Sequence, residues 1–135
     1  MNQIHRNLAY QSIFKLHEWI EDLFTGQNSL ILMPLLASFS PDFKMITTTG
    51  ALINLNQVNQ LFTNNTGKHP HLKIKISEVS LIHQTSDSCL YRYKETHNQK
   101  LIRWSTVLIV FKNDQPRWLH LQETLTPHLS SDNLN

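Results

Sequence analysis

The chain has 135 residues, 40% of them hydrophobic and 16% charged, which is enough length and apolar content for one folded domain with a core and excludes a disordered segment. Twelve Lys and Arg against ten Asp and Glu leave a net charge of +2, too little for electrostatic capture of nucleic acid or an anionic membrane. Gly26, Gly50 and Gly67 are too dispersed for a phosphate-cradling loop, and the lone Cys89 excludes an internal disulfide or a cysteine-built zinc site.

Ile4, Leu8, Ile13, Leu16, Ile20 and Leu23 recur at helical spacing, with Phe14, Trp19 and Phe24 widening the stripe and Gly26 ending it. Pro34 fits the first turn of a short helix from about Met33 to Phe39, stopped by Ser40-Pro41. Phe43 to Thr47 reads as a strand and Thr48 to Gly50 as its turn. Asn54 caps a third helix carrying Leu55, Val58, Leu61 and Phe62, which ends at Asn64 to Gly67.

From Leu72 the period becomes two. Leu72, Ile74 and Ile76 alternate with Lys73 and Lys75, and the apolar parity then jumps to Val79 and Leu81. A β-bulge near Ser77-Glu78 produces that jump and bends the strand. Three further strands follow, Cys89 to Thr96, Leu101 to Lys112 and Arg117 to Leu125, joined by short turns as an antiparallel meander. Residues 1–127 are expected to form one domain and 128–135 a polar tail.

Helices first and a long bent sheet afterwards make this an α+β domain. With that order go three motifs. They are His17-Glu18-Trp19 late in the first helix, Ser40-Pro41-Asp42-Phe43 before the first strand, and Trp118-Leu119-His120-Leu121-Gln122-Glu123-Thr124 in the last. Together they resemble the nuclear transport factor two-like, cystatin-like superfamily. Within it they resemble a subgroup of small bacterial domains of unassigned activity, related to the kinase association domain and SnoaL-like cyclases. The resemblance spans Leu8 to Leu125 and implies N-terminal helices packed on a strongly curved antiparallel sheet that encloses a cone-shaped cavity.

Turn arithmetic orders the faces. A turn on Asn98-Gln99 pairs Tyr93 with Trp104, Tyr91 with Thr106 and Glu95 with Ile102. A four-residue loop from Asn113 to Pro116 pairs Thr106 with Glu123, Leu108 with Leu121 and Val110 with Leu119. One face then carries Tyr91, Tyr93, Glu95, Trp104, Thr106 and Glu123, and in the resembled fold it lines the cavity with Trp19 and Phe43. A mostly apolar pocket with a few polar groups is the usual form of a small-molecule site. The expected function is therefore binding of a small apolar or amphipathic ligand, without a cofactor.

Glu123 is the candidate catalytic residue, because a buried carboxylate needs either partners or a raised pKa. The alternative is a lyase, isomerase or cyclase with Glu123 as general base and Tyr91 or Tyr93 polarising a carbonyl. In isomerases and cyclases of the resembled superfamily the base follows the first strand. There this chain has Thr47, Thr48 and Thr49, which cannot abstract a carbon-bound proton, while Asp42 caps or turns the chain. A third alternative is a pure association module with a plugged cavity.

His69, His71, His83, His97, His120 and His128 are scattered without ligand spacing, so no metal is expected. Lys73 and Lys75 read as a solvated sheet face rather than a nucleic-acid surface. No apolar stretch reaches the length of a membrane span, and no secretory h-region precedes the first helix, so a cytoplasmic protein is expected. The same registers put Val107, Ile109, Phe111 and Trp118 outward, ringed by Arg92, Arg103, His120 and Gln122. An apolar centre in a polar rim predicts a homodimer through Arg103, Val107, Ile109, Phe111, Trp118 and His120.

Overall fold

Helix α1 (Asn2–Thr25) buries His5, Ala9, Ile13, Leu16, His17 and Leu23 along one face, while Ile4 and Phe14 fall outside that stripe and are exposed. These positions come from a computed structural model, which describes residues 2–127; the expected tail at 128–135 lies outside the described residues. Gly26 closes α1 with φ +83°, and a Cβ there would stand 3.4 Å from Gly67 Cα. Both glycine N–H groups donate to Leu23 O, at 3.2 and 3.0 Å, so the ends of two helices share one carbonyl.

A 3₁₀ turn (Ser29–Ile31), capped by the Asn28 side chain, leads into α2 (Leu32–Ala37), with Pro34 near its start. Strand β1 (Phe39–Ile46) then begins at once, so Ser40-Pro41 lie inside a strand rather than after a helix. Proline lacks an N–H, and here it occupies the stretch between Phe39 and Lys44 where pairing with the neighbouring strand is interrupted. The turn at Thr47 to Ala51 is closed by Thr47 N–H to Ala51 O at 2.9 Å and leads into β2 (Leu52–Asn54), a short strand the sequence pattern does not announce. Asn54 caps α3 (Leu55–Asn65) as expected, and Gln57 completes a reciprocal capping box with it.

Four long strands complete the fold: β3 (Ile74–Gln84), β4 (Ser88–His97), β5 (Leu101–Lys112) and β6 (Gln115–Leu125). The sheet order is β2-β1-β6-β5-β4-β3, antiparallel throughout except that β1 runs parallel to β6. The expected bulge is present, with Glu78 at φ +53° and the β3–β4 register shifting between Ser77 and Ser80. The result is an α+β fold, three α-helices on a curved, unclosed sheet.

Two expected registers are corrected. Asn98 and Gln99 both have positive φ, and Lys100 joins them as a third connecting residue, so His97 pairs with Leu101 and Glu95 with Arg103. At the next turn the connection is Asn113-Asp114 alone, and the register shift between Leu108 and Ile109 leaves Leu119 as an extra residue in β6. Ser105 therefore faces Glu123, and Ile109 faces Trp118.

Each error is small, but the side-chain period of a strand is two, so β5 is turned over relative to its expected orientation. Arg103, Ser105, Val107, Ile109 and Phe111 look toward the helices; Trp104, Thr106, Leu108 and Val110 look away. Val107, Ile109 and Trp118 have no exposed surface at all, so they belong to the core and cannot form an outward dimer patch. Phe111 stacks on His5 at 4.0 Å, and Trp118 Nε1 donates to Ser12 Oγ at 3.2 Å, joining β5 and β6 to α1. His120 alone of the expected interface set lies on the outer face, opposite Leu108.

Candidate functional site

A recess of about 250 Å³ lies between α1, α3 and the sheet. Its walls are mostly apolar, with Leu16, Ile20 and Phe24 from α1, Val58 and Phe62 from α3, and Met45 from β1. Apart from Thr47 and Thr48, its polar lining is one connected cluster: His17, Glu95, His97, Arg103 and Glu123.

Glu95 is the centre. It is 2% exposed, and His17 Nε2 lies 3.0 Å from its Oε1. Its Oε2 meets His97 Nε2 at 2.5 Å and Arg103 Nη2 at 3.0 Å. Arg103 reaches on through Nη1 to Glu123 Oε1 at 3.3 Å, the looser of its two carboxylate contacts. His17 Nδ1 donates to Ile13 O at 2.8 Å within α1. Both ring nitrogens of His17 thus face acceptors, which suits the imidazolium with two donors.

The electrostatics follow. Burial opposes a charge on His17, but the Glu95 carboxylate and the Ile13 carbonyl outweigh it and raise the imidazole pKa. Burial likewise works against ionised Glu95, yet His17, His97 and Arg103 together hold its pKa well below the ordinary carboxylate range. Glu123 goes the other way. Burial raises its pKa, the charge of Glu95 adds to that, and the loosely held Arg103 only partly opposes it. Burial and then the two carboxylates push the Tyr93 phenol well above its usual value, so it stays neutral.

Two carboxyls in one cluster therefore have opposite characters. Glu95 is an anion held by His17, His97 and Arg103, whereas burial favours the neutral form of Glu123. Arg103 is the donor beside it.

Of the residues expected to line a ligand site, Glu95 and Glu123 do so. Trp19 does not: two positions from His17, it points to another side of α1, where Lys15 Nζ lies 5.5 Å from its ring. Phe43 is core, packed on Phe39 at 4.6 Å. Tyr91 is buried and donates its hydroxyl to Arg6 O at 3.1 Å, so it polarises nothing in the recess. Tyr93 is fully buried behind the cluster, its hydroxyl 3.4 Å from His17 Nε2. Trp104 and Thr106 are on the outer face, with Lys94 Nζ 5.6 Å from the Trp104 ring. Of these corrections, those at Trp104 and Thr106 trace to the turned strand.

Thr47 and Thr48 do line the recess at the end of the first strand. The residues that sequence reasoning passed over are His17, His97 and Arg103. Placing Lys100 in the connection would have set Arg103 opposite Glu95, and a histidine inside the Ile13–Ile20 stripe was the local sign of a buried partner.

Among the described residues no group of three or more His, Cys, Asp or Glu is placed to hold a metal ion, and no helix is long and apolar enough to cross a membrane.

No protein-family model matches the chain, and no curated protein matches it significantly. Solved structures do. An NTF-2 like protein of unknown function from Pseudomonas aeruginosa is similar at 29% identity and TM-score 0.84, over 88% of this chain and 98% of that one. An NTF2-like protein from Cytophaga hutchinsonii aligns at TM-score 0.72 and 12% identity, over 93% of this chain and 100% of that one. An uncharacterized protein with a cystatin-like fold from Caulobacter vibrioides aligns at TM-score 0.65 and 15% identity, over 93% of each chain. At such identities the latter two speak for the fold alone. The shared architecture and these likenesses agree with the motif order, and the chain belongs to the NTF2-like, cystatin-like superfamily.

Proposed function

We propose that the chain is a small-molecule-binding domain whose ligand occupies the recess between α1 and the sheet. The observation that carries this is the joining of apolar walls to a single polar cluster, the usual build of a site that holds an apolar body and orients one polar end. A thermal-shift screen of small, mostly apolar molecules bearing one polar group tests it. A binder at a hundredfold excess over its Kd stabilises the native state by about 2.7 kcal/mol, a shift of several degrees. Leu61→Trp, which narrows the recess from α3, should abolish the shift. A library that moves neither protein would leave only the association-module reading.

The raised pKa of Glu123 favours a second reading, in which the same site is catalytic. Glu123 would act as general base in lyase, isomerase or cyclase chemistry, with Arg103 in place of the tyrosines as polarising donor. Turnover, or deuterium exchange into a bound ligand, that disappears in Glu123→Gln would support catalysis; binding with neither would leave a pure binding domain.

The homodimer is proposed through the outer sheet face as the registers define it. Leu90, Trp104, Leu108, Val110 and Leu119 are half-buried there and have no helix over them, beside His120 and the exposed Arg92 and Gln122. Val110→Asp should yield a folded 15.8 kDa monomer by sedimentation. Phe111→Asp should lower stability instead, because Phe111 packs against His5.

A further inference from the structure

The polar end of the recess has a charge preference, and the inference drawn from it rests on the small-molecule reading above. Arg103 stands between Glu95 and Glu123, at 3.0 and 3.3 Å. Its Nε is buried and has no acceptor among the described residues. Glu95 is already committed to His17, His97 and Arg103. With His17 and Arg103 cationic and Glu95 anionic, the cluster carries one net positive charge whenever Glu123 is protonated, and none when it is ionised.

We propose that the recess takes a short monocarboxylic acid, its carboxylate held by Arg103 and its apolar chain lying against Phe24, Met45 and Phe62. A guanidinium presents parallel N–H groups that match a carboxylate, and Arg103 has an N–H to spare. An amine in the same place would meet the Arg103 charge, with only Glu123 and the Glu95 Oε1 already paired with His17 to accept from it.

Binding of an anion is coupled to a proton. Two carboxylates within reach of one another share a proton, so the ligand drives Glu123 toward its neutral form. The groups facing Glu123 are His17 from α1, Tyr93, Glu95 and His97 from β4, and Arg103 from β5; β1 and α3 bring no titratable side chain to the recess. Between pH 6 and 8 the ligand itself stays ionised, so its affinity rises as pH falls, by up to about tenfold per pH unit for one proton taken up.

Hexanoate, hexan-1-ol and hexylamine, which share one chain length, make the test, by NMR titration of the protein at pH 6 and pH 8. Hexanoate should bind about tenfold or more tightly than hexylamine at pH 6, as opposite charge preferences require. It should weaken at least about fivefold by pH 8. Glu123→Gln, an isostere of the protonated acid, should hold hexanoate equally at both values. His17 and His97 are intact in that variant, so a slope that persists would place the proton elsewhere in the cluster and overturn the coupling to Glu123. Hexylamine binding as tightly as hexanoate, or hexan-1-ol alone binding, would overturn the carboxylate preference while sustaining the small-molecule reading. No response from any of the three would count against both.

Discussion

Glu95 and Arg103 lie directly opposite each other on β4 and β5, with Arg103 Nη2 3.0 Å from Glu95 Oε2. That one cross-strand pair sets the character of the recess. It turns a buried carboxylate into a fixed anion and leaves Nη1 of the guanidinium to reach Glu123.

Removing the shared anion should be costly. Glu95→Gln leaves His17 and Arg103 buried without their common partner, and breaking a buried pair from one side costs about 3–5 kcal/mol. Urea unfolding measures it, and NMR titration of His17 should show the imidazole pKa falling once Glu95 no longer supports its charge. An unchanged unfolding midpoint would show that the cluster is solvated rather than buried.

Stability should peak in mildly acidic solution. His17 has its pKa raised from 6.5 by folding, so its contribution is complete below 6.5 and fades as pH rises through the folded value. Glu95 is lowered from 4.5, so its contribution is present above 4.5 and is lost as pH falls through its folded value. Glu123 is raised from 4.5, and keeping it ionised costs stability progressively above that pH. The urea midpoint should therefore decline from pH 6.5 toward 9, and His17→Gln should flatten that limb. A midpoint that rises over the same interval would contradict the assigned directions.

The cap of α3 can be tested alone. Asn54→Ala removes the side-chain half of the reciprocal box, the acceptor for Gln57 N–H, while the residue-54 N–H can still donate to Gln57 Oε1, and should cost about 1 kcal/mol. Because α3 carries Val58 and Phe62 into the recess, ligand affinity should fall with the cap even though Asn54 touches no ligand. Thermal melts with and without a binder separate the two effects.

The β4–β5 connection holds a correctable strain. Gln99 has φ +62°, a conformation in which any L side chain is crowded and glycine is not. Gln99→Gly should raise stability by about 1 kcal/mol without moving the register, because Lys100 remains the extra residue. Amide-proton shifts of β4 and β5 would report any slip.

Local chemistry was enough to write down much of this protein from its sequence. Apolar spacing marked α1, the capping residue Asn54 marked the start of α3, and a parity jump at Ser77-Glu78 marked the bulge in β3. Each signal comes from residues close together in the chain. Glu123 was legible as well, since a carboxylate in an inward strand position demands an explanation. The face of β5 was not. Whether Lys100 belongs to the connection or to the strand changes the local energy little, yet with a side-chain period of two it exchanges Arg103 for Trp104 inside the recess. The parallel pairing of β1 with β6 and the short β2 were equally hidden, because they depend on contacts between segments far apart in sequence. His17, His97 and Arg103 became one cluster with Glu95 only when α1, β4 and β5 were packed together.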